Sequence, residues 1–442
     1  MKNTKKTSAI LLCSGTSSRM KPLSDKIFFE YLGKSILERQ IENLLDQEKI
    51  SQVFLVGNSQ NKKKIEDLIS KKFQKFQENI HFCTQENQND GMKGGVLSVE
   101  NFFSDDESLL IMSSNDVVEN WFLEDFLGDK SFPQIDVKIC GKTVDKYFPG
   151  GYIEINSEKD VQNIIEKPGE GNEPSNMINL VFHWFENSRN LFTILKNKTN
   201  KNDDAYELAL QELFESNKKC KAVEYTGKWK SLKFPWHHLD MMEFFLQQIE
   251  GQNISKDAQI SENSKISGNV IIESGVKIFD FSVISGPVYI GKNTIIGNHS
   301  LVRNSHIGED SCIGQGTEVA RSYLRDKVFT HQNYIGDSVI DSNVNFGAGC
   351  RIGNLRHDKK NISVFVKNSL LDSGKDKLGI FCGSNVRFGI NTSFFPGISI
   401  GSNSQLFPHL ILTKNIPENS FVKQKAENIE LDIRENKNSR KN

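Results

Sequence analysis

The sequence predicts two folds in tandem: an N-terminal α/β domain, Rossmann-like with a mostly parallel sheet, and a C-terminal left-handed parallel β-helix of hexapeptide repeats. Three observations carry this. From about residue 7 to 250, short apolar strands alternate with helical stretches, the pattern of βαβ units around a parallel sheet. From about 254 onward the apolar period changes to six. Between the two, Asp240-Met-Met-Glu-Phe-Phe-Leu246 reads as a bridging helix. The expected division is 7–238 for the α/β domain, 239–253 for a linker helix, 254–425 for the β-helix and 426–442 for a flexible tail.

The elements follow in order. Ala9-Ile-Leu-Leu-Cys13 is a buried strand. Ile36 to Leu45 is a helix, with Ile36, Leu37, Ile41, Leu44 and Leu45 near a 3.6-residue period. Val53-Phe-Leu-Val56 and Leu109-Leu-Ile-Met112 are the next strands. Sheets of this kind bind ligands beyond the carboxyl ends of their strands.

In the second half Ile254, Ile260, Ile266, Ile272, Ile278, Ile284, Ile290, Ile296 and Val302 fall six apart. The frame slips by one to Ile307, Ile313 and Val319, then resumes at Val328, Tyr334, Ile340, Phe346 and Ile352. It returns at Cys382, Phe388, Phe394, Ile400, Leu406 and Leu412. Neither a helix nor a two-faced strand has this period. A triangular prism does: each flat face is one hexad, its leading aliphatic points inward, and a small residue follows at the corner, as in Ile290-Gly291 and Ile400-Gly401. A β-sandwich alternates at two and has no fixed hexad.

Bulk composition narrows the function. Lys+Arg is 55 and Asp+Glu is 56, a formal net charge of -1, which steers the chain toward neither nucleic acid nor a membrane surface. Seven cysteines are scattered without a CxxC or zinc spacing, which fits a reducing compartment. The N-terminal apolar run of about five residues is shorter than the roughly 7–15 of a signal-peptide core. No stretch approaches the roughly 18 apolar residues of a membrane span. A soluble, cytoplasmic protein is expected.

The first strand leads into Leu12-Cys-Ser-Gly-Thr-Ser-Ser-Arg-Met20. A loop of small residues between strand and helix presents backbone N–H groups to a phosphate. Arg19 at its end can hold phosphate oxygens by forked hydrogen bonds, and Lys26 follows close behind.

This run resembles the L-A-A-G-x-G-T-R-M signature of the sugar-nucleotide pyrophosphorylases, a nucleotidylyltransferase family. Gly15, Arg19 and Met20 match, whereas Ser17 and Ser18 replace the second glycine and the threonine. Pro22-Leu23 and Lys26 match the stretch around the family's lysine, with Asp25 for the preceding proline, and Gly33-Lys34 matches its G-K-P turn. Further matches follow in order: Gln85 to Gly91 and Met92 for Q-x-x-Q-x-G-T, Asn115-Asp116 for N-G-D, Gly150-Gly151 for the turn over the sugar, Ile165-Glu166-Lys167-Pro168 for V-E-K-P, and Asn176-Met-Ile-Asn179 for N-x-x-N-A-G. The resemblance implies that Cys13, Ser14, Gly15, Gln85 and Gly91 bind the nucleotide and that Gly151, Glu166 and Asn179 bind the sugar. It also implies that Arg19 and Lys26 neutralise the reacting phosphates and that Asp116 holds Mg²⁺. In the family's W-x-D-[IV]-G-T-P run this chain has Trp229-Lys-Ser231-Leu-Lys233-Phe-Pro235. A neutral hydroxyl therefore stands at the second metal-binding acid, with an added positive charge beside it.

In the β-helix, His331, Tyr334, Gly336 and Asp337 match G-H-L-x-Y-x-G-D, and Asn354 with Lys359 or Lys360 matches N-x-x-x-x-x-K. This set resembles the acetyltransferase half of the bifunctional glucosamine-1-phosphate N-acetyltransferase/N-acetylglucosamine-1-phosphate uridylyltransferases. The resemblance implies His331 as general base, a role histidine fills near neutral pH. It implies Tyr334, Asn354 and Lys360 as sugar-phosphate ligands, acetyl-CoA as co-substrate, and a homotrimer.

The activity implied is the joining of a sugar 1-phosphate, of the glucose 1-phosphate or N-acetylglucosamine 1-phosphate type, to UTP or dTTP with release of pyrophosphate. Acetylation of an amino-sugar 1-phosphate is a second activity of the same layout. Two other readings share it: an acyltransferase with a degenerate nucleotide domain, and a non-catalytic assembly subunit. Such subunits often lose the loop arginine and lysine, and Arg19 and Lys26 are present here.

Overall fold

A computed structural model describes residues 6–104, 107–128, 134–199, 204–216 and 218–424. The tail expected at 426–442 lies outside the described residues. The chain divides into two compact units, Met1–Gln248 and Ile249–Asn442.

The first unit begins β1 (Thr7–Leu12), β2 (Glu30–Tyr31), β3 (Lys34–Ser35), α1 (Ile36–Leu45), β4 (Ile50–Gly57), α2 (Lys62–Lys72), β5 (Ile80–Thr84) and α3 (Gly91–Leu97). It continues with β6 (Ser108–Ser113), β7 (Asp116–Val117), α4 (Trp121–Gly128), β8 (Val137–Thr143), β9 (Gly151–Ile155), β10 (Val161–Glu166) and β11 (Met177–Phe185). It ends with α5 (Ser188–Asn197), α6 (Ala205–Glu215), β12 (Cys220–Glu224), β13 (Lys230–Ser231) and α7 (His237–Leu246).

The main sheet runs β10-β9-β11-β6-β1-β4-β5, with β8 and β12 beyond β11. Its β5-β4-β1-β6 half is parallel. The other half is mixed, because β11 runs antiparallel to β6, β8 and β9. The reason lies in the connections: β9 and β10 are joined by a short turn, which only an antiparallel pair permits. On β1, Ala9, Ile10 and Leu11 are fully buried, as expected of a parallel strand covered on both faces. The loop after β1 and the Asp116 strand after β6 leave the sheet side by side, since Leu12 pairs with Ser113. Helix α1 is capped by Ser35, whose Oγ accepts the Glu38 N–H at 3.1 Å, and it buries Ile36, Leu37, Ile41 and Leu44.

Helix α7 covers His237–Leu246, whereas a helix over 239–253 was expected, and Gln252 already pairs with Val270 in the first coil of the second unit.

The second unit is built from three parallel sheets of eight, nine and eight strands. Every third strand pairs, so the chain winds around three faces. The leading aliphatics from Ile272 to Leu412 line one continuous core, with Ile254, Ile260 and Ile266 partly buried at its first coil. Val283 pairs with Leu301, Leu301 with Glu318 and Glu318 with Tyr334, so coils shorten from 18 to 17 to 16 residues. This corrects the frame expected from the sequence. Thr330 and Ile335 stand in register with Ile313 and Val319 and are fully buried, while Tyr334 lies outside, opposite Glu318. Two five-residue steps, Val302 to Ile307 and Thr330 to Ile335, each shorten a coil by one, which a fixed count of six cannot follow. An insertion between Ile352 and Phe381 carries a hairpin, Ser363–Val366 with Ser369–Asp372. No described helix is long and apolar enough to cross a membrane. All seven cysteines are free thiols.

Candidate functional site

The loop after β1 is fixed from beneath. Asn58 Nδ2 donates to the Ser14 carbonyl and Asn61 Nδ2 to the Cys13 carbonyl, each at 2.8 Å. Cys13 is buried, and burial pushes its thiol far above the ordinary range. Gly15 is exposed, with nothing within 4 Å of the point where a Cβ would stand. Ser14 Oγ donates to Gln85 Oε1, and Gln85 Nε2 donates to the carbonyls of Asn87 at 3.1 Å and Gly91 at 2.8 Å. The Gln85 amide thus ties the two loops together. Asn58-x-x-Asn61 is a support that sequence reasoning missed; its signal is two amides at the carboxyl end of β4.

Beyond that loop, four charged groups share one neighbourhood. Lys26 is buried and donates from Nζ to the Leu232 carbonyl at 2.8 Å. Asp116 Oδ1 accepts Trp229 Nε1–H at 3.1 Å, and its backbone pairs with Ser231. Lys233 Nζ donates to the Pro149 carbonyl and lies 3.9 Å from the centre of the Phe148 ring. The Arg19 guanidinium lies 5.8 Å from the centre of the Phe234 ring. Burial lowers the Lys26 ammonium to about 8; Arg19 adds to this, and Asp116 and Asp25 oppose it. Lys233 is lowered to about 8 by burial first, with Arg19 and Lys167 acting the same way and Asp116 and Glu166 opposing. Burial raises the Asp116 carboxyl against the pull of Lys233, Ser231, Trp229 and Lys26. One segment meets all three: Ser231 pairs with Asp116, the Leu232 carbonyl takes the Lys26 ammonium, and the Phe234 ring lies under Arg19, so that Lys233 of the same segment joins them.

A second group adjoins this one. Gly151 pairs with Glu166 across β9 and β10. A Cβ on Gly151 would stand 3.0 Å from Glu166 Oε2, 3.4 Å from Asn179 Cβ and 3.7 Å from Asn179 Nδ2. Only a residue without a side chain leaves room between that carboxylate and that amide. Lys167 pairs with Glu166 at 2.6 Å. Behind Asn179, His183 Nε2 meets its Oδ1 at 2.8 Å, and His183 Nδ1 meets Tyr206 Oη at 2.7 Å. Burial lowers the imidazole to about 3, so it is neutral. Tyr206 O–H donates to Nδ1 and Nε2–H donates to Asn179 Oδ1, which leaves the Asn179 NH₂ on the Gly151 side. His183 and Tyr206 escaped sequence reasoning because a histidine inside an apolar strand resembles ordinary core.

On the β-helix, Arg321 holds Asp337 through two bonds of 2.6 and 2.7 Å. Asn354 Nδ2 reaches Asp337 Oδ2 at 2.5 Å and Tyr334 Oη at 3.2 Å. Gly336 lies under this cluster; a Cβ there would stand 2.7 Å from Tyr334 Oη. His331 is exposed at a corner, where its N–H meets Asn333 Oδ1 at 2.6 Å. Lys360 is exposed on the insertion, its N–H on Asp358 at 3.3 Å. The structure thus joins Tyr334 to Asn354 and does not draw Lys360 into that hydrogen-bonded cluster. Arg321 was not singled out from the sequence.

Residues 8–232 match the nucleotidyl transferase family, and residues 269–304 match the bacterial transferase hexapeptide repeat. The chain belongs to the nucleotidyl transferase family. It is 35% identical to the bifunctional protein GlmU of Methanococcus maripaludis over 429 residues, covering 95% of this chain and 98% of that one. It is 31% identical over 427 residues to a bifunctional sugar-1-phosphate nucleotidylyltransferase/acetyltransferase of Sulfurisphaera tokodaii, covering 94% and 99%.

Within this nucleotidyl transferase, among the described residues, no three of His, Cys, Asp and Glu gather into a metal-holding group. Asp116 is one carboxylate that already accepts an indole N–H and lies in the fields of two ammonium groups. That donor set does not fit a magnesium ion held by the protein alone. It fits one carried in on a triphosphate, for which one carboxylate and phosphate oxygens suffice.

Proposed function

We propose that the first unit transfers a nucleotidyl group from UTP or dTTP to a sugar 1-phosphate of the glucose or N-acetylglucosamine type. The observation that carries this is the cluster of Arg19, Lys26 and Asp116 next to the Gly151–Glu166–Asn179 group. An oxygen of the sugar phosphate attacks the α-phosphorus. The new O–P bond forms as the bond to the β-phosphate oxygen breaks, and pyrophosphate leaves with that electron pair. The attacking oxygen is already deprotonated, so no base is needed; positioning and charge neutralisation supply the rate. Arg19 and Lys26 neutralise phosphate oxygens. The loop Cys13-Ser14-Gly15 and the segment from Gln85 to Gly91 cradle the nucleotide. Glu166 accepts from one sugar hydroxyl and Asn179 donates to a neighbouring acceptor. Asp116 would be the protein's ligand to a magnesium ion bound with the nucleotide, which would supply further neutralisation of phosphate charge. Pyrophosphate release with UTP or dTTP and a panel of sugar 1-phosphates tests this; no turnover with any pair removes it.

A second activity is supported by the Arg321–Asp337–Asn354–Tyr334 cluster and by the bifunctional names of the relatives. Here the β-helix acetylates an amino-sugar 1-phosphate from acetyl-CoA, with His331 as base, Tyr334 and Asn354 as sugar-phosphate ligands, and Lys360 joining them when substrate is bound. The protein works in the cytoplasm as a homotrimer. Release of CoA thiol by the intact chain, abolished in His331→Ala, is the expected result.

A further inference from the structure

Lys233 is the feature that the family resemblance does not account for. Two residues earlier in the chain, Ser231 pairs with Asp116 where the family pattern has a second acid. Lys233 itself is half-buried and held: its Nζ is 3.9 Å from the centre of the Phe148 ring, it donates to the Pro149 carbonyl, and a Cβ on Gly150 would stand 3.2 Å from it. Its backbone N–H is fixed by His237 Nδ1 at 3.2 Å. Its chain neighbours Ser231 and Leu232 meet Asp116 and Lys26, while its Nζ reaches Gly150, next to the Gly151 that faces Glu166. It therefore lies between the groups assigned to the triphosphate and those assigned to the sugar phosphate, where the transferred phosphoryl group must pass. Its ammonium is half-buried against the Phe148 ring and the Pro149 carbonyl, and the field of Asp116 is shared between it and Lys26. Such a surplus of positive charge in a buried site is completed by an anion.

We propose that Lys233 is a phosphate-binding catalytic residue of the nucleotidyl site, supplying as a fixed ammonium the charge that a second carboxylate would otherwise recruit as metal. This rests on the nucleotidyl-transfer reading. Lys233 stays protonated throughout, donating to non-bridging oxygens of the α-phosphate while the O–P bond forms and pyrophosphate leaves. A substrate-borne metal then has less charge to neutralise, so nucleotide binding survives without it.

Calorimetric titration of the full chain with UTP and with dTTP in EDTA tests this apart from turnover. The wild type binds at least one of them, and Lys233→Met weakens that binding by about tenfold or more, the worth of one charge-assisted hydrogen bond. Lys233→Arg, which keeps the charge, stays much closer to wild type. The double variant Ser231→Asp/Lys233→Gly restores the family pattern, and its nucleotide binding becomes strongly dependent on added magnesium. In turnover, Lys233→Met loses about 10²-fold or more, as when one donor to a developing oxyanion is removed. The proposal is overturned if Lys233→Met binds as tightly as wild type in EDTA, if neither nucleotide binds the wild type there, or if Lys233→Met turns over faster. Lys233-dependent binding with no nucleotide-sugar formed by the wild type overturns the transfer reading and leaves the anion site standing.

Discussion

Ser17 Oγ donates to Asp25 Oδ1 at 2.8 Å, across the loop that carries Arg19 and Lys26. Both residues depart from the family pattern, which has glycine and proline at these positions, and the bond makes the two departures one feature. Ser17 has φ 52°, ψ 23°, the left-handed region where glycine is at ease. The side-chain bond to a carboxylate offsets the backbone strain. Ser17→Ala keeps the strain and loses the bond, and should destabilise the first unit by about 1.5–3 kcal/mol. Ser17→Gly loses the bond but relieves the strain, and should lie about 1 kcal/mol above the alanine variant. Urea unfolding followed by tryptophan fluorescence reads this, since Trp121, Trp184, Trp229 and Trp236 all lie in the first unit. Equal stabilities for the two variants would show that the left-handed backbone at residue 17 carries no strain for the bond to offset.

What was legible in the sequence follows from range. The helix Ile36–Leu45 and the prism were readable because each is a local period repeated many times. Arg19, Lys26 and Asp116 were legible as a set only through the order of motifs that resemble the family's; the strand ends alone do not choose them. The register at Thr330 and Ile335 was not, since a shortened corner leaves no mark in composition. Neither was the His183–Tyr206 pair, which joins a strand to a helix through one hydrogen bond between ordinary core residues. Lys233 was visible as a charge, but its place beside Gly150 depends on packing far along the chain.

The neutral His183 gives the first unit an acid weakness. Folded, its imidazole is held near about 3; unfolded, it takes a proton below its ordinary 6.5. Between those values the unfolded chain binds more protons, so stability is full above about 6.5 and falls as pH drops toward 3, by up to about 1.4 kcal/mol per unit from this group. His183→Gln can still donate to Asn179 and does not titrate. Between pH 7.5 and 5.0 the wild type should lose about 2 kcal/mol more than this variant in urea unfolding. His183→Leu, which frees the Asn179 amide, should raise KM for the sugar phosphate about tenfold with KM for the nucleotide unchanged. A parallel rise in both would mark a purely structural role.

The corners of the prism are stacked so tightly that side chains are chosen one coil at a time. A Cβ on Gly401 would stand 2.2 Å from the Glu418 backbone nitrogen, so Gly401→Ala must push the last coil outward. Asn343, Asn385, Asn403 and Asn419 all have φ near 60°, and their amides form a ladder at 2.7, 3.0 and 3.0 Å. Asn403→Ala removes two rungs and should lower stability by about 1–3 kcal/mol. Gly401→Ala should do at least as much by overpacking, about 1–3 kcal/mol or more. Circular dichroism melts resolve this as an earlier transition of the β-helix. Unchanged melting for Gly401→Ala would mean that the last coil yields freely.

Arg321 offers a way to separate the two proposed activities. It donates to Asp337 through Nε and Nη2, and Asp337 in turn holds the Asn354 amide that also reaches Tyr334. Arg321→Met keeps much of the length of the side chain and removes the fork. Asp337, only 5% exposed, then loses its cation and pulls on Asn354 alone. With the amide no longer fixed, the acceptor pocket loses its shape, and CoA-thiol release should fall about tenfold to a hundredfold through KM for the amino-sugar phosphate. Pyrophosphate release should be unaffected, because every residue assigned to it lies before Gln248. Arg321→Lys, which restores charge without the fork, should recover only part of the loss. An Arg321→Met chain with undiminished acetyl transfer would place the acceptor somewhere other than the Tyr334–Asn354 cluster.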